Sequence, residues 1–211
     1  NPTYLLLNVG GIYHLEHPGY YTNGGYDMYG MPVYNREKYH FSMWVKRLGF
    51  KGVAKVYIRG AHGRHTTVGE IVIPEGADGD WIKVSTSIVA EKDTMGRLCI
   101  SLEGNGKLGI DYVSLLPDTT WGDPKKYRNG KLSPRLVQVL KDCHPSFVRF
   151  PGGCVVEGEV AFDYQYRWRN TVGPLEQRQQ IPNVWRYMQS YGIGFYEHFC
   201  LCGDIGATPL P

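Results

Sequence analysis

Phe147-Val148-Arg149-Phe150-Pro151-Gly152-Gly153-Cys154-Val155-Val156-Glu157-Gly158 decides how the second half of the chain is read. A short aromatic and β-branched run stops at Pro-Gly-Gly, which reads as a buried strand delivering an arginine, a cysteine and a glutamate into a loop. The segment before it reads as a helix over 134–142. Ser133 stands at its N-cap and Pro134 at its first position, while Leu136, Val137 and Leu140 form an apolar stripe. Helical sequence follows at 184–191 and, after Gly192-Ile193-Gly194, at 195–202. A strand between helices, with polar groups at its C-terminal end, is the ground plan of an α/β barrel whose sites lie at that end. Residues 117–211 cannot close such a barrel, which takes about 250 residues. The expectation is therefore an incomplete (β/α)8 TIM barrel, with Thr208-Pro209-Leu210-Pro211 entering a further strand.

Residues 1–116 are punctuated differently. β-rich runs recur at 4–9, 39–48, 53–59, 67–73, 81–89, 97–102 and 108–116. Turn signals lie between them, such as Asn23-Gly24-Gly25, Pro74-Glu75-Gly76 and Gly104-Asn105-Gly106. Tyr39, Phe41, Met43 and Val45 alternate with His40, Ser42, Trp44 and Lys46, so one face of that strand is apolar. Seven such runs without a helix predict a β-sandwich of jelly-roll type. The tyrosine-dense stretch 20–34 reads either as a strand and loop packed on the sandwich or as a platform for sugar rings. Residues 117–132, rich in Asp, Gly, Lys and Asn, read as a linker, and Lys125-Lys126-Tyr127-Arg128 within it as a solvated loop.

The bulk properties narrow the choice. The chain has 211 residues, a net charge of +3 and 42% hydrophobic residues. That charge is too small and too scattered to imply a nucleic-acid partner, and no apolar run approaches the roughly 20 residues of a membrane span. The chain starts at Asn1 without a signal peptide, and both of its ends look cut. Five cysteines, at 99, 143, 154, 200 and 202, cannot all pair within the chain. Cys200-Leu201-Cys202 is spaced too closely for a CxxC redox or zinc motif, so buried apolar thiols are the preferred reading. The expected location is extracellular or periplasmic, which cysteine usage does not itself settle.

Four ordered blocks carry a resemblance. They are Asp111-Tyr112-Val113-Ser114-Leu115-Leu116-Pro117 with Thr120-Trp121; the stretch 147–158 quoted above; Tyr166-Arg167-Trp168-Arg169-Asn170-Thr171-Val172-Gly173-Pro174; and Gly192-Ile193-Gly194-Phe195-Tyr196-Glu197-His198-Phe199. From 110 to 210 the chain resembles the α-L-arabinofuranosidases of glycoside hydrolase family fifty-one. Residues 1–116 more loosely resemble the carbohydrate-binding-module-like sandwich inserted in those enzymes. The resemblance implies a fragment of a retaining, exo-acting hydrolase that removes terminal α-L-arabinofuranosyl units from arabinose-containing polysaccharides and oligosaccharides. It implies no metal or organic cofactor. The other reading of the chain is a non-catalytic carbohydrate-binding protein with the sandwich as its working part.

The candidate site residues are Arg149, Cys154 and Trp168. A guanidinium in an apolar strand needs anionic or multiple acceptor partners, and Pro-Gly-Gly directly after it favours an active-site role over a structural salt bridge. The resemblance places Arg149 beside the sugar and the catalytic carboxylates, and Trp168 at the border of the pocket. Cys154 stands where many relatives carry asparagine; a thiol hydrogen-bonds a sugar hydroxyl poorly. Glu157, Glu159, Asp163, Glu176, Glu197 and Asp204 are the tempting carboxylates, yet none matches the family's catalytic pair. The resemblance implies that both catalytic glutamates lie beyond Pro211 and that the first barrel strand precedes Asn1. Glu157 is then expected to organise its loop, and Glu197 to cap or brace a helix.

Overall fold

The computed structural model describes residues 3–17, 30–60, 69–75, 78–158, 165–183 and 188–211. The chain divides after Asp118 into two compact units.

The first unit is built from strands β1 (Leu5–His17), β2 (Met31–Val33), β3 (Lys38–Gly60), β4 (Gly69–Val72), β5 (Trp81–Val89) and β6 (Thr94–Pro117). β3 and β6 run antiparallel along almost their whole lengths. One half of β3 also pairs with β5, and the other half with β4, while β1 lies on the far side of β6. The face foreseen for β3 forms: Tyr39, Phe41, Met43 and Val45 are all buried. They join Ala54, Val56 and Ile58 of the other half, Ile71 of β4 and Val84 and Ile88 of β5 in one core, which is the packing of a sandwich.

The runs at 39–48 and 53–59, and those at 97–102 and 108–116, are not separate strands. Each pair is one long strand bent through glycines. Gly104-Asn105-Gly106, which reads as a turn, instead carries β6 through the corner. There a Cβ at Gly104 would collide with the Lys51 carbonyl, and one at Gly52 with the Glu103 carbonyl. The glycines serve close approach of two backbones rather than chain reversal. Of the tyrosine-dense stretch, residues 20–29 lie outside the described residues, and 31–33 form β2 on the edge of β6.

The second unit contains α1 (Pro134–Asp142), β7 (Phe147–Arg149), α2 (Cys154–Glu157), β8 (Ile181–Pro182), β9 (Met188–Gln189), α3 (Phe195–Ile205) and β10 (Thr208–Leu210). β10 is the strand entered at Thr208; it pairs with β7 in parallel, Arg149 opposite Leu210. Three expectations are corrected. β7 is not buried, since Phe147 and Arg149 are exposed and β10 is its only partner among the described residues. The α1 stripe is mostly uncovered: Val137 packs with Tyr127, Leu201 and Ile205, whereas Leu136 is 67% exposed and Leu140 is exposed too. The helix foreseen at 184–191 is absent from the described part, where Met188–Gln189 pairs antiparallel with Ile181–Pro182.

The linker is not merely solvated either. Tyr127 is one of the most buried side chains in the unit and donates to Asp204 Oδ2 at 2.7 Å. Trp121 Nε1 donates to the same oxygen at 2.9 Å, and Lys126 pairs with Oδ1. Burial pushes the Asp204 carboxyl up, but these three donors outweigh it and hold the group below its ordinary range. All five cysteines are free thiols; Cys99 and Cys202 are buried, Cys143 is exposed, and Cys154 and Cys200 are half-buried.

Candidate functional site

A cavity of about 500 Å³ opens at the C-terminal ends of the parallel strands β7 and β10. It is lined by Arg149, Leu210 and Pro211 at the strand ends, by Pro151, Gly152, Gly153, Val156 and Glu157 of the following loop and α2, and by the aromatic residues Tyr166, Trp168 and Phe195. The Arg149 guanidinium lies over Gly152, with Nη2 2.7 Å from where a Cβ would stand. Any side chain at 152 would displace it, which is the physical use of that glycine. Among the described residues Arg149 makes no hydrogen bond or ion pair, and it lines the cavity. Trp168 is 56% exposed and lies tilted against the Phe195 ring at a centroid distance of 6.2 Å.

The aromatic wall is held from behind. The bidentate pair Arg178–Glu197 has Nη2–Oε1 at 2.7 Å and Nη1–Oε2 at 3.0 Å. Arg178 also donates to the carbonyls of Gly173 and Tyr191. Glu197 accepts from the backbone N–H of Gly130 and Gly194, the latter at the N-cap of α3. Glu197 therefore does brace a helix, as its place in the sequence suggests. Burial alone would push its carboxyl up, but the Arg178 fork and the two backbone donors hold it lower than usual. Thr171 Oγ1 donates to the Trp168 carbonyl at 2.8 Å and accepts from Phe195 N–H at 2.9 Å, tying the tryptophan turn (Trp168–Thr171) to α3. Phe150, buried next to Arg149, stacks on His198 at 4.6 Å and meets Phe195 and Phe199 edge-on.

Of the three candidate residues, the structure brings Arg149 and Trp168 to one cavity. Cys154, half-buried in α2, is not among the residues that line it. Glu157 is the one carboxylate among the described lining residues. Glu197 and Asp204 are spent in the networks above, and Glu159 and Asp163 lie outside the described residues. His198 is engaged with the Gly194 carbonyl and Phe150, and no group of three His, Cys, Asp or Glu side chains converges among the described residues. Sequence reasoning missed Arg178 and Thr171, which are buried and polar. The only signal was an arginine inside a Pro- and Gln-rich loop, which points equally well to a solvated side chain.

Residues 139–211 match the family model described as the α-L-arabinofuranosidase 1 domain. The whole chain aligns with an extracellular exo-α-L-arabinofuranosidase of Streptomyces chartreusis at 35% identity, covering 24% of that protein. It aligns over 89% of its length with α-L-arabinofuranosidase 1 of Arabidopsis thaliana, also at 35% identity and covering 27% of it. The fold matches an arabinose-bound GH51 α-L-arabinofuranosidase with a TM-score of 0.79 at 21% identity, over 99% of this chain and 33% of that one. A β-sandwich followed by a unit with its cavity at parallel strand ends thus resembles part of a glycoside hydrolase. More narrowly, the chain corresponds to a stretch of the α-L-arabinofuranosidases of family fifty-one. It spans about a quarter of the length of the curated relatives it matches.

Proposed function

We propose that this chain supplies part of the sugar pocket of a retaining, exo-acting α-L-arabinofuranosidase, with terminal arabinofuranosyl units of polysaccharides or oligosaccharides as substrate. In this reading residues 1–116 are the carbohydrate-binding-module-like sandwich, and residues 117–211 begin the catalytic TIM barrel. β7 and β10 are then successive barrel strands, joined through α2 and α3. Their parallel pairing, with a cavity at their C-terminal ends, supports this assignment. The observation that carries the proposal is the fork-shaped guanidinium of Arg149, without a partner among the described residues, lining a cavity together with Trp168. Such a fork suits a carboxylate or a pair of sugar oxygens, and an indole edge suits the apolar face of a furanose.

A retaining glycosidase works by double displacement through a covalent glycosyl-enzyme and needs two carboxyl groups about 5–5.5 Å apart. Glu157 alone cannot provide that pair, so the acid/base and nucleophile come from other residues of the parent enzyme. Arg149 anchors the sugar or orients an incoming carboxylate. Trp168 and Phe195 exclude water from one side of the ring, and Cys154 packs behind the loop. Secretion is part of the same proposal, and the Streptomyces chartreusis relative is named as extracellular.

The test is hydrolysis of an aryl α-L-arabinofuranoside followed by proton NMR. A longer protein containing this stretch should release L-arabinose with the anomeric configuration first retained. The 211-residue chain alone should release none above a mock preparation. Turnover by the chain alone, or inversion by the longer protein, would overturn the proposal.

A further inference from the structure

The sandwich carries a second aromatic cluster on a face turned away from its core. Register places Trp44 of β3 opposite Lys83 of β5 and Asp111 of β6, and Lys46 opposite Trp81 and Gly109. Leu6 of β1 also lies opposite Gly109, and Tyr4 just precedes that strand. Cross-strand partners share a face. The intervening residues Met43, Val45, Val84 and Ile110 are buried in the core, so this set points outward.

The result is a checkerboard of rings and cations. Tyr4 and Trp81 meet edge to face at 5.2 Å, with the Lys46 ammonium 6.0 Å from each ring centroid. The Lys83 ammonium lies 6.0 Å from the Trp44 ring. Tyr4 and Trp81 stay 41% and 37% exposed. Gly109 leaves room for the tyrosine: a Cβ there would stand 2.9 Å from its ring. The indole N–H of Trp44 is buried and has no acceptor among the described residues. Neither lysine has a carboxylate within ion-pair distance among those residues, and Asp111 gives one oxygen to the Tyr112 N–H at 2.8 Å.

Exposed rings beside unpaired ammonium groups favour a ligand that is flat, rich in C–H and anionic. A purely apolar protein partner would have to desolvate both cations without compensation. A neutral glycan would satisfy the rings and leave the cations unmatched. A sugar ring bearing a carboxylate satisfies both: its C–H face lies on Trp81 or Tyr4 while its carboxylate accepts charge-assisted hydrogen bonds from Lys46 or Lys83. We propose that this face of the sandwich binds a glycan chain carrying uronic acid residues. The site is made of residues of the first unit alone and needs no turnover.

Isothermal titration of the 211-residue chain tests this with three probes: glucuronoxylan oligosaccharides, the same oligosaccharides with their carboxyls reduced, and poly-L-glutamate as a sugar-free polyanion. The acidic oligosaccharides should bind at least ten-fold more tightly than either control. Trp81→Ala, and separately Lys46→Ala with Lys83→Ala, should each weaken binding ten-fold or more without moving the thermal transition. The lysine pair keeps the test decisive should Trp81→Ala misfold. Absence of binding, equal binding of poly-L-glutamate or of the reduced oligosaccharides, or indifference to the lysine substitutions would each overturn the proposal. Because no hydrolysis is read, such a failure is distinct from failure of the arabinofuranosidase reading.

Discussion

Arg178 and Glu197 form a two-pronged ion pair whose side chains are 0% and 1% exposed, and every donor and acceptor they own is used. The pair joins four stretches of chain: the linker at Gly130, the loop at Gly173, the turn at Tyr191 and the start of α3. Removing one partner strands the other charge in a dry site, at a cost of about 3–5 kcal/mol. Glu197→Ala and Arg178→Ala should each melt the second unit well before the sandwich. Urea denaturation followed by tryptophan fluorescence would check this. A shift under about 1 kcal/mol would show the pair to be solvated in solution.

The same pair sets an acid limit. The folded pKa of Glu197 lies lower than its unfolded value of about 4.3. Its contribution is therefore complete above that value and is lost as pH falls through the depressed folded pKa. Asp204, held low by Lys126, Tyr127 and Trp121, has the same sign. The stability gap between the parent chain and Glu197→Gln should be constant from pH 7 to about pH 5 and close below about pH 4. Melting curves at those pH values give the answer; a gap that widens in acid contradicts the assignment.

What the sequence discloses depends on whether the cause is local. The alternation of Tyr39, Phe41, Met43 and Val45 is a period-two pattern, and the structure buries all four. Arg149 stands out because Pro-Gly-Gly directly after it is a local signal, whereas Trp168 is marked only by the family resemblance; both reach the cavity. The contact between Arg178 and Glu197 joins residues 19 positions apart with no periodicity, so nothing in the string marks it. Tyr127 hides inside a basic tract yet becomes core, because Asp204 accepts its hydroxyl. Leu136 and Leu140 form a true stripe, but no described residue covers it.

Gly104-Asn105-Gly106 shows how one local signal serves two causes. It has the composition of a turn, but the requirement is backbone approach: a methyl group at 104 would collide with the Lys51 carbonyl, one at 106 with the Gly49 carbonyl. Gly104→Ala should therefore cost the sandwich about 2–3 kcal/mol through forced separation of β3 and β6. A tight hairpin at a surface loop would tolerate alanine at 104 far better. Thermal denaturation of residues 1–118 in the variant chain distinguishes these outcomes; an unchanged transition would mean the corner can open at no cost.

The last prediction separates binding from folding at Arg149. Its guanidinium touches Gly152 and makes no hydrogen bond with the described residues, so its removal should leave stability within about 0.5 kcal/mol of the parent. In the complete enzyme, Arg149→Ala should nonetheless remove about 2–4 kcal/mol of transition-state stabilisation, roughly a thirty- to thousand-fold loss in kcat/KM. Arg149→Lys should not restore it, because one ammonium cannot reproduce two parallel N–H donors. Cys154→Ala, at a residue off the cavity lining, should change kcat/KM by less than about three-fold. These values require steady-state kinetics on each variant, with the melting temperature measured alongside. A folded Arg149→Ala enzyme with near-parent activity would move the arginine out of the site. A variant that loses stability and activity together would make it a structural residue of β7.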